Sequence, residues 1–225
     1  IGEYLLGFIF PKFCVGCRQE SSFLCQNCQN KIIKIKTRTC LGCQRISEEG
    51  ICSKCKKDLP ITKSIIFGYH KDPILKELIH NLKYEGIYPI AEILSKMLIK
   101  KLENFIFPKD STIIPVPLHR KRFAQRGYNQ SELIAQKLAG HFHWKLNSKL
   151  LIRQINTKPQ INLKHHDRLT NMKNAFSINT NENFPNGTII LLDDVVTTGA
   201  TIGECAKVLR AGGANRIWVI TLAHG

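Results

Sequence analysis

The run Leu191-Leu192-Asp193-Asp194-Val195-Val196-Thr197-Thr198-Gly199-Ala200-Thr201 leaves few folds open. Residues 188–192 are short, apolar after the first, and follow Asn186-Gly187, which predicts a buried strand. Residues 202–210 have helical apolar spacing and stop at Gly212-Gly213, a helix C-terminus signal. Two acids, two valines and a Thr-Thr-Gly-Ala-Thr loop therefore sit between a strand end and a helix start. In an open α/β sheet that is where ligands bind. The loop suits a phosphate monoester. Thr197, Thr198 and Thr201 offer hydroxyls, Gly199 admits close backbone approach, and the helix start adds N–H groups and a positive dipole end. Asp193 and Asp194 can accept hydrogen bonds from neighbouring sugar hydroxyls, so the parts describe a pocket for a ribose 5-phosphate. The plainer alternative is a turn whose threonines only cap the helix, and the adjacent acids argue against it.

The chain has 225 residues, enough for one good-sized domain or for one plus a small module. An apolar fraction of 43% supports a packed core. A formal net charge of +16 favours a polyanionic partner, such as nucleic acid, a phosphorylated ligand or an anionic membrane face. A generally lysine-rich surface gives the same number, and the basic residues are spread along the chain. No apolar run is long enough to span a bilayer, so an integral membrane protein is not expected. Residues 1–10 are apolar but lack a basic leader and a small-residue cleavage site; a short packing helix is expected there, not a signal peptide.

Eight of nine cysteines fall in four Cys-x-x-Cys pairs: Cys14/Cys17, Cys25/Cys28, Cys40/Cys43 and Cys52/Cys55. This is zinc-ribbon spacing: each knuckle turns two thiolates to one side, and two knuckles complete a tetrahedral site. Two structural Zn²⁺ ions are expected, and a disulfide framework is the alternative. The pairing is sequential in the simplest case, and spacing also allows a cross-braced arrangement. A closed four-thiolate site leaves no position for catalysis, and metal would supply most of the head's folding energy. Lys31, Lys34, Lys36, Arg38, Lys54, Lys56 and Lys57 surround the knuckles, either as a contact surface or as a solvated scaffold. Cys205 lies outside the set, on a predicted helix, and reads as a small buried side chain.

Beyond the head, a strand is predicted over residues 61–69, helices over 73–84 and 88–102, and a short buried strand over 112–118 that ends at its prolines. Next come Arg120, Lys121, Arg122 and Arg126, a basic loop suited to a diphosphate, and then Asn129 as the cap of a helix over 130–138. A strand is expected over 144–152, a polar loop from Arg153 onward, and a last strand over 216–222. The adjacent His165 and His166 point different ways on any regular element and are expected on the surface. The expected domains are an N-terminal segment with the zinc ribbon, residues 1–60, and an α/β domain, residues 61–225.

Acid-acid, two apolar residues and Thr-Thr-Gly-x-Thr after a strand resemble the phosphoribosyl pyrophosphate motif of type I phosphoribosyltransferases. Together with the Cys-rich head, Pro115-Val116-Pro117-Leu118-His119 and Arg126-Gly127-Tyr128-Asn129-Gln130, the chain resembles the ComF family of competence proteins. Leu82-Lys83-Tyr84-x-Gly86 and Thr157-x-Pro159-Gln160 are similar to further family segments. The resemblance implies an α/β fold, a parallel sheet flanked by helices of the type I phosphoribosyltransferase kind, beside the zinc module. It implies phosphoribosyl pyrophosphate held with Mg²⁺. Asp193 and Asp194 would take the ribose hydroxyls, and Val195 and Val196 would belong to the same binding set. Thr197, Thr198, Gly199, Ala200 and Thr201 would wrap the 5-phosphate. Pro117, Leu118, Arg120 and Lys121 would face the diphosphate, and Arg153 would open the flexible loop that folds over the ligand.

It also implies a cytoplasmic protein of natural transformation, peripheral to the inner membrane, that handles single-stranded DNA beside other DNA-uptake proteins. A metabolic phosphoribosyltransferase acting on a nucleobase or amine is the alternative. Any hood for an acceptor must come from residues 61–105, where no aromatic stacking set stands out, so the sequence names no acceptor and no catalytic residue.

Overall fold

We describe residues 12–20, 22–35, 38–156 and 172–225 in a computed structural model of the chain. Five strands form one parallel sheet: β1 (Lys63–Tyr69), β2 (Thr112–Pro115), β3 (Lys145–Leu146), β6 (Thr188–Val196) and β7 (Arg216–His224), in the order β1-β7-β6-β2-β3. The remaining two, β4 (Leu151–Arg153) and β5 (Phe176–Ile178), make a separate antiparallel pair. The expected strand over 144–152 is thus divided. Its first part adds the sheet edge, and its second part turns away to pair with β5.

Both faces of the sheet are covered, so its strands are apolar without alternation. Ile190 and Leu192 point into one core with α2 (Pro73–Tyr84), α3 (Pro89–Leu102) and α5 (Gln130–Phe142). Ile189 and Leu191 point into the other, which holds α6 (Ala200–Ala211). Asp72 caps α2 by accepting from Ile74 N and Leu75 N, and Asn129 caps α5 by accepting from Ser131 N. The helix after Asn129 runs through Gly140 to Phe142 and ends at His143 in the left-handed region.

Two further expectations are corrected. β6 runs four residues past Leu192, because β7 continues beside it: Asp193 pairs with Thr221, Val195 with Ala223 and Val196 with His224. Both acids are therefore strand residues. The basic stretch after β2 is a short helix, α4 (Arg120–Arg126), started by His119, whose Nδ1 accepts from Lys121 N, and ended by Gly127 in the left-handed region.

The cysteine-rich head contains α1 (Gln26–Lys31) and a 3₁₀ turn, Cys55–Lys57, and it lies against the body. Cys14 and Cys28 join the apolar cluster of α2, and Arg18 pairs with Glu77 at 3.8 Å. Cys40, Leu41 and Leu59 join the cluster of α6. No helix among the described residues is long and apolar enough to cross a membrane. Thr157–Gln160, His165 and His166 lie outside the described residues, as do Lys36 and residues 1–10.

Candidate functional site

The head resolves the cysteine pairing. Cys14, Cys17, Cys25 and Cys28 form one quartet and Cys40, Cys43, Cys52 and Cys55 the other, the sulfurs of each lying within 4.8 Å of one another. No cysteine is in a disulfide and the sulfurs group by sequential pairs, so the disulfide alternative is set aside and the pairing is sequential. Zn–S bonds of about 2.3 Å in a tetrahedron require sulfurs roughly 3.8 Å apart. Cys17 and Cys25 stand 3.8 Å apart, and Cys52 stands 3.7 Å from both Cys40 and Cys43. Backbone amides also serve the sulfurs: Cys25 N donates to Cys14 Sγ and Cys52 N to Cys40 Sγ. The Cys55 amide holds the Cys52 thiol down to about 6, while burial pushes Cys28 up to about 12. A divalent cation is what lets four crowded sulfurs ionise together. The residues fit structural zinc.

The second site stands at the C-terminal ends of β2, β4 and β6. Alternation along β6 sends its two acids to opposite faces. Asp194 is buried towards α2 and α5 and is fully engaged. Lys83 Nζ donates to its Oδ1 at 2.6 Å and Gln130 Nε2 donates to its Oδ2. Behind Gln130 lies Arg126, whose Nη1 donates to Gln130 Oε1 and whose guanidinium lies 5.3 Å over the Tyr84 ring. Tyr128 donates its hydroxyl to Leu82 O and thereby fixes the end of α2 that carries Lys83.

Asp193 is half-buried, on the side of α6, and its Oδ1 accepts from Asp194 N at 2.9 Å. Burial, with the charge of Asp194 added, raises its carboxyl to about 7, and Lys83 and Arg153 oppose that rise. Arg153 lies over Phe176 at 5.4 Å and donates to Met172 Sδ. Burial lowers its pKa, with Arg122 adding to that and Asp193 opposing it. His119 is pushed down by burial and then by Arg120 and Arg153, with a smaller push from Lys121, so these cations converge near the exit of β2. Pro117 and Leu118, both half-buried, shape that exit, and Asn129 Nδ2 ties it to the start of α5 by donating to Val116 O at 3.0 Å.

After Val196 the chain turns through Thr197 and Thr198, both half-buried, to Gly199. Gly199 sits at φ +77°, in the left-handed region, as the N-cap of α6, and gives that helix no side-chain cap. Thr198 Oγ1 accepts weakly from Ala200 N at 3.4 Å. The structure therefore brings Asp193, Arg153 and the Thr197–Thr201 turn to one edge of the sheet, with Asp194 braced behind. Lys83 and Gln130 were missed by reasoning on the sequence. Their signals were the positions beside Tyr84-x-Gly86 and after Tyr128-Asn129, which carry no charge pattern of their own.

The loop is also walled by the head. A Cβ on Gly199 would meet Leu59 Cδ1 and Cδ2 at 3.1 Å and Leu41 Cδ2 at 3.2 Å, and one on Gly203 would meet Leu59 Cδ2 at 2.8 Å. At the end of β7, His224 Nε2 donates to Leu41 O at 2.9 Å, and its Nδ1 lies 3.0 Å from Gln44 Nε2 and 2.7 Å from Gly225 O.

No protein-family model matches the chain. It is similar to the "Competence protein F" of Haemophilus influenzae, 33% identical over 94% of this chain and 96% of that one. It is similar to the "DNA utilization protein YhgH" of Escherichia coli, 32% identical over 77% of each. It is also similar to the "Competence protein ComFC" of Streptococcus pneumoniae, 26% identical over 92% of this chain and 90% of that one. With likeness at that level over nearly its full length, two paired Cys₄ quartets and a parallel sheet of the phosphoribosyltransferase kind, the chain belongs to the ComF family of competence proteins.

Proposed function

We propose that the chain is a DNA-uptake factor that holds phosphoribosyl pyrophosphate with Mg²⁺ at the C-terminal edge of its sheet and binds single-stranded DNA. The observation that carries the ligand assignment is the α6 N-terminus, whose N-cap is the left-handed Gly199, close after the paired acids of β6. The first amides of a helix lack intrahelical partners and favour an anion. The N-cap residue of α6 is a glycine with no side chain to offer, and its first amide has only the long 3.4 Å contact to Thr198 Oγ1, which suits a phosphate there.

In this reading Thr197, Thr198 and Thr201 donate hydroxyls to the 5-phosphate, and Gly199 and Ala200 present their amides. Asp193 accepts from a ribose hydroxyl, while Asp194 holds Lys83 beside it at 2.6 Å. Pro117 and Leu118 carry the turn that places Arg120 and Lys121 by the diphosphate, and Arg153 adds a cation on the far side. Bound Mg²⁺ would neutralise the diphosphate and ribose oxygens. The names of the relatives, together with the +16 charge, support the DNA part.

Titration calorimetry tests the ligand. Binding of phosphoribosyl pyrophosphate is expected only with Mg²⁺, and Asp193→Asn combined with Thr198→Val should weaken it at least tenfold. Equal affinity in that double variant would overturn the assignment.

A further inference from the structure

Away from the phosphate loop, a cavity of about 520 Å³ lies between the head, β1 and the end of α3. Its lining includes Lys34, Arg38, Lys100 and Lys101 and, among the described residues, no carboxylate. Lys101 makes the wall cationic even where it is covered. Its Nζ donates to Ile35 O at 2.6 Å and Phe67 O at 3.3 Å, and burial lowers its pKa to about 8. Lys34, Arg38 and Lys100 are exposed at the rim. The Arg38 guanidinium stands over the Phe105 ring at 5.1 Å and is fixed by donating to Glu48 O at 3.0 Å. A row of three partly buried rings continues beyond the cavity, with a cation at each end. Phe105 leads to Phe107 at 6.5 Å and Phe107 to Trp218 at 5.2 Å, where Lys63 lies over the indole at 4.7 Å, also paired with Glu49 at 3.2 Å. The volume suits a nucleotide, and the continuing series suits a polymer.

We propose that this cavity seats single-stranded nucleic acid, with Lys34 and Lys100 on successive phosphates, Arg38 backed by Phe105 as a stacking platform, and Trp218 with Lys63 as the next station along the strand. The proposal rests on the nucleic-acid part of the function proposed above, and it adds where the strand lies. Charge selects a polyanion here, because four cations meet no acid in the lining. Flat cation–ring stations select unpaired bases over a duplex, whose bases face inward.

The test is fluorescence anisotropy of a labelled oligothymidylate over a salt series, on the full zinc-loaded chain. Lys34→Gln, Arg38→Gln and Lys100→Gln together should weaken binding by at least about tenfold. They should also lower the slope of log affinity against log salt by about 1.4 to 2, at about 0.7 per phosphate contact. A control removes equal charge from exposed positions elsewhere: Lys149→Gln, Lys173→Gln and Lys207→Gln should change affinity less than about twofold. Calorimetry with phosphoribosyl pyrophosphate should be unchanged in the groove variant, which shows that it is folded. Wild-type affinity and slope in the groove variant overturn the location, and so does an equal loss in the control. Displacement of the labelled strand by thymidine monophosphate, at equal nucleotide concentration, overturns it in favour of a mononucleotide site. Absence of binding by the unmodified chain sinks the nucleic-acid reading as a whole, an outcome distinct from failure of the groove alone.

Discussion

Gly199→Ala tests whether the head is part of the phosphate site. Two penalties are expected. The residue sits at φ +77°, and a left-handed backbone costs a Cβ-bearing residue roughly 1–2 kcal/mol. The new methyl would also stand 3.1 Å from both Leu59 methyls and 3.2 Å from Leu41 Cδ2, overpacking worth about 1–3 kcal/mol. The sum is about 2–5 kcal/mol. Leu59 is nearly fully buried, so Leu59→Ala alone should cost about 2–5 kcal/mol. In the double variant, space opens for the methyl and the backbone penalty remains. The double should therefore be less destabilised than the sum of the singles, by about 1–2 kcal/mol. Urea unfolding in excess zinc reads all three differences, and calorimetry should show phosphoribosyl pyrophosphate affinity lost in Gly199→Ala and partly restored in the double. Additivity within about 0.5 kcal/mol would refute the contact, since independent sites add to that accuracy.

Lys83→Met should cost about 3–5 kcal/mol in urea unfolding near neutral pH, because it strands the buried Asp194 charge. Asp194→Asn in the same chain should recover most of the loss. Asp193 makes stability and binding depend on pH. Its folded pKa, about 7, is raised above that of the unfolded chain, so its contribution favours the empty fold below about pH 4 and is lost as pH rises through 7. Ligand binding wants the carboxylate, so affinity should rise up to about tenfold per pH unit below 7 and level off above it, and Asp193→Asn should flatten the profile. Metal analysis should find two zinc ions per chain, matching the two quartets. Cys52→Ser should weaken phosphoribosyl pyrophosphate binding more than Cys17→Ser, because only the second quartet adjoins Leu41 and Leu59, which wall Gly199.

The cysteine quartets were legible because Cys-x-x-Cys spacing carries its chemistry within a few residues. So was the turn at Thr197–Gly199, where strand, loop and helix signals are consecutive. Helix α2 was read to the residue, Pro73–Tyr84, because Asp72, Pro73 and an apolar stripe agree. The end of β6 was not, since acids in a strand are held there by β7, a neighbour that local pattern does not reveal. The same holds for the split of β3 from β4, where pairing decides between two partners. Lys83 and Gln130 meet Asp194 across sequence separations of 111 and 64, beyond the reach of any motif. Tyr84 and Tyr88, both exposed, emerge as aromatics beside that brace, and Tyr88 packs on Tyr128 at 4.5 Å.

The two open edges of the sheet are protected by different means. β3 is two residues long, exposed, and starts with Lys145, so it makes a poor template for another strand. β1 has seven residues and carries Ile65, Ile66 and Phe67. Its outer side is occupied by the head: Ile35 N donates to Phe67 O at 3.0 Å, Ser64 N to Glu49 O at 2.8 Å, and Ser64 Oγ to Gly50 O at 2.5 Å. Those partners hold their places through the knuckles around them. A metal in the quartets would therefore also guard against aggregation. Its removal would loosen the cover of a long apolar edge, and self-association through β1 is the expected failure.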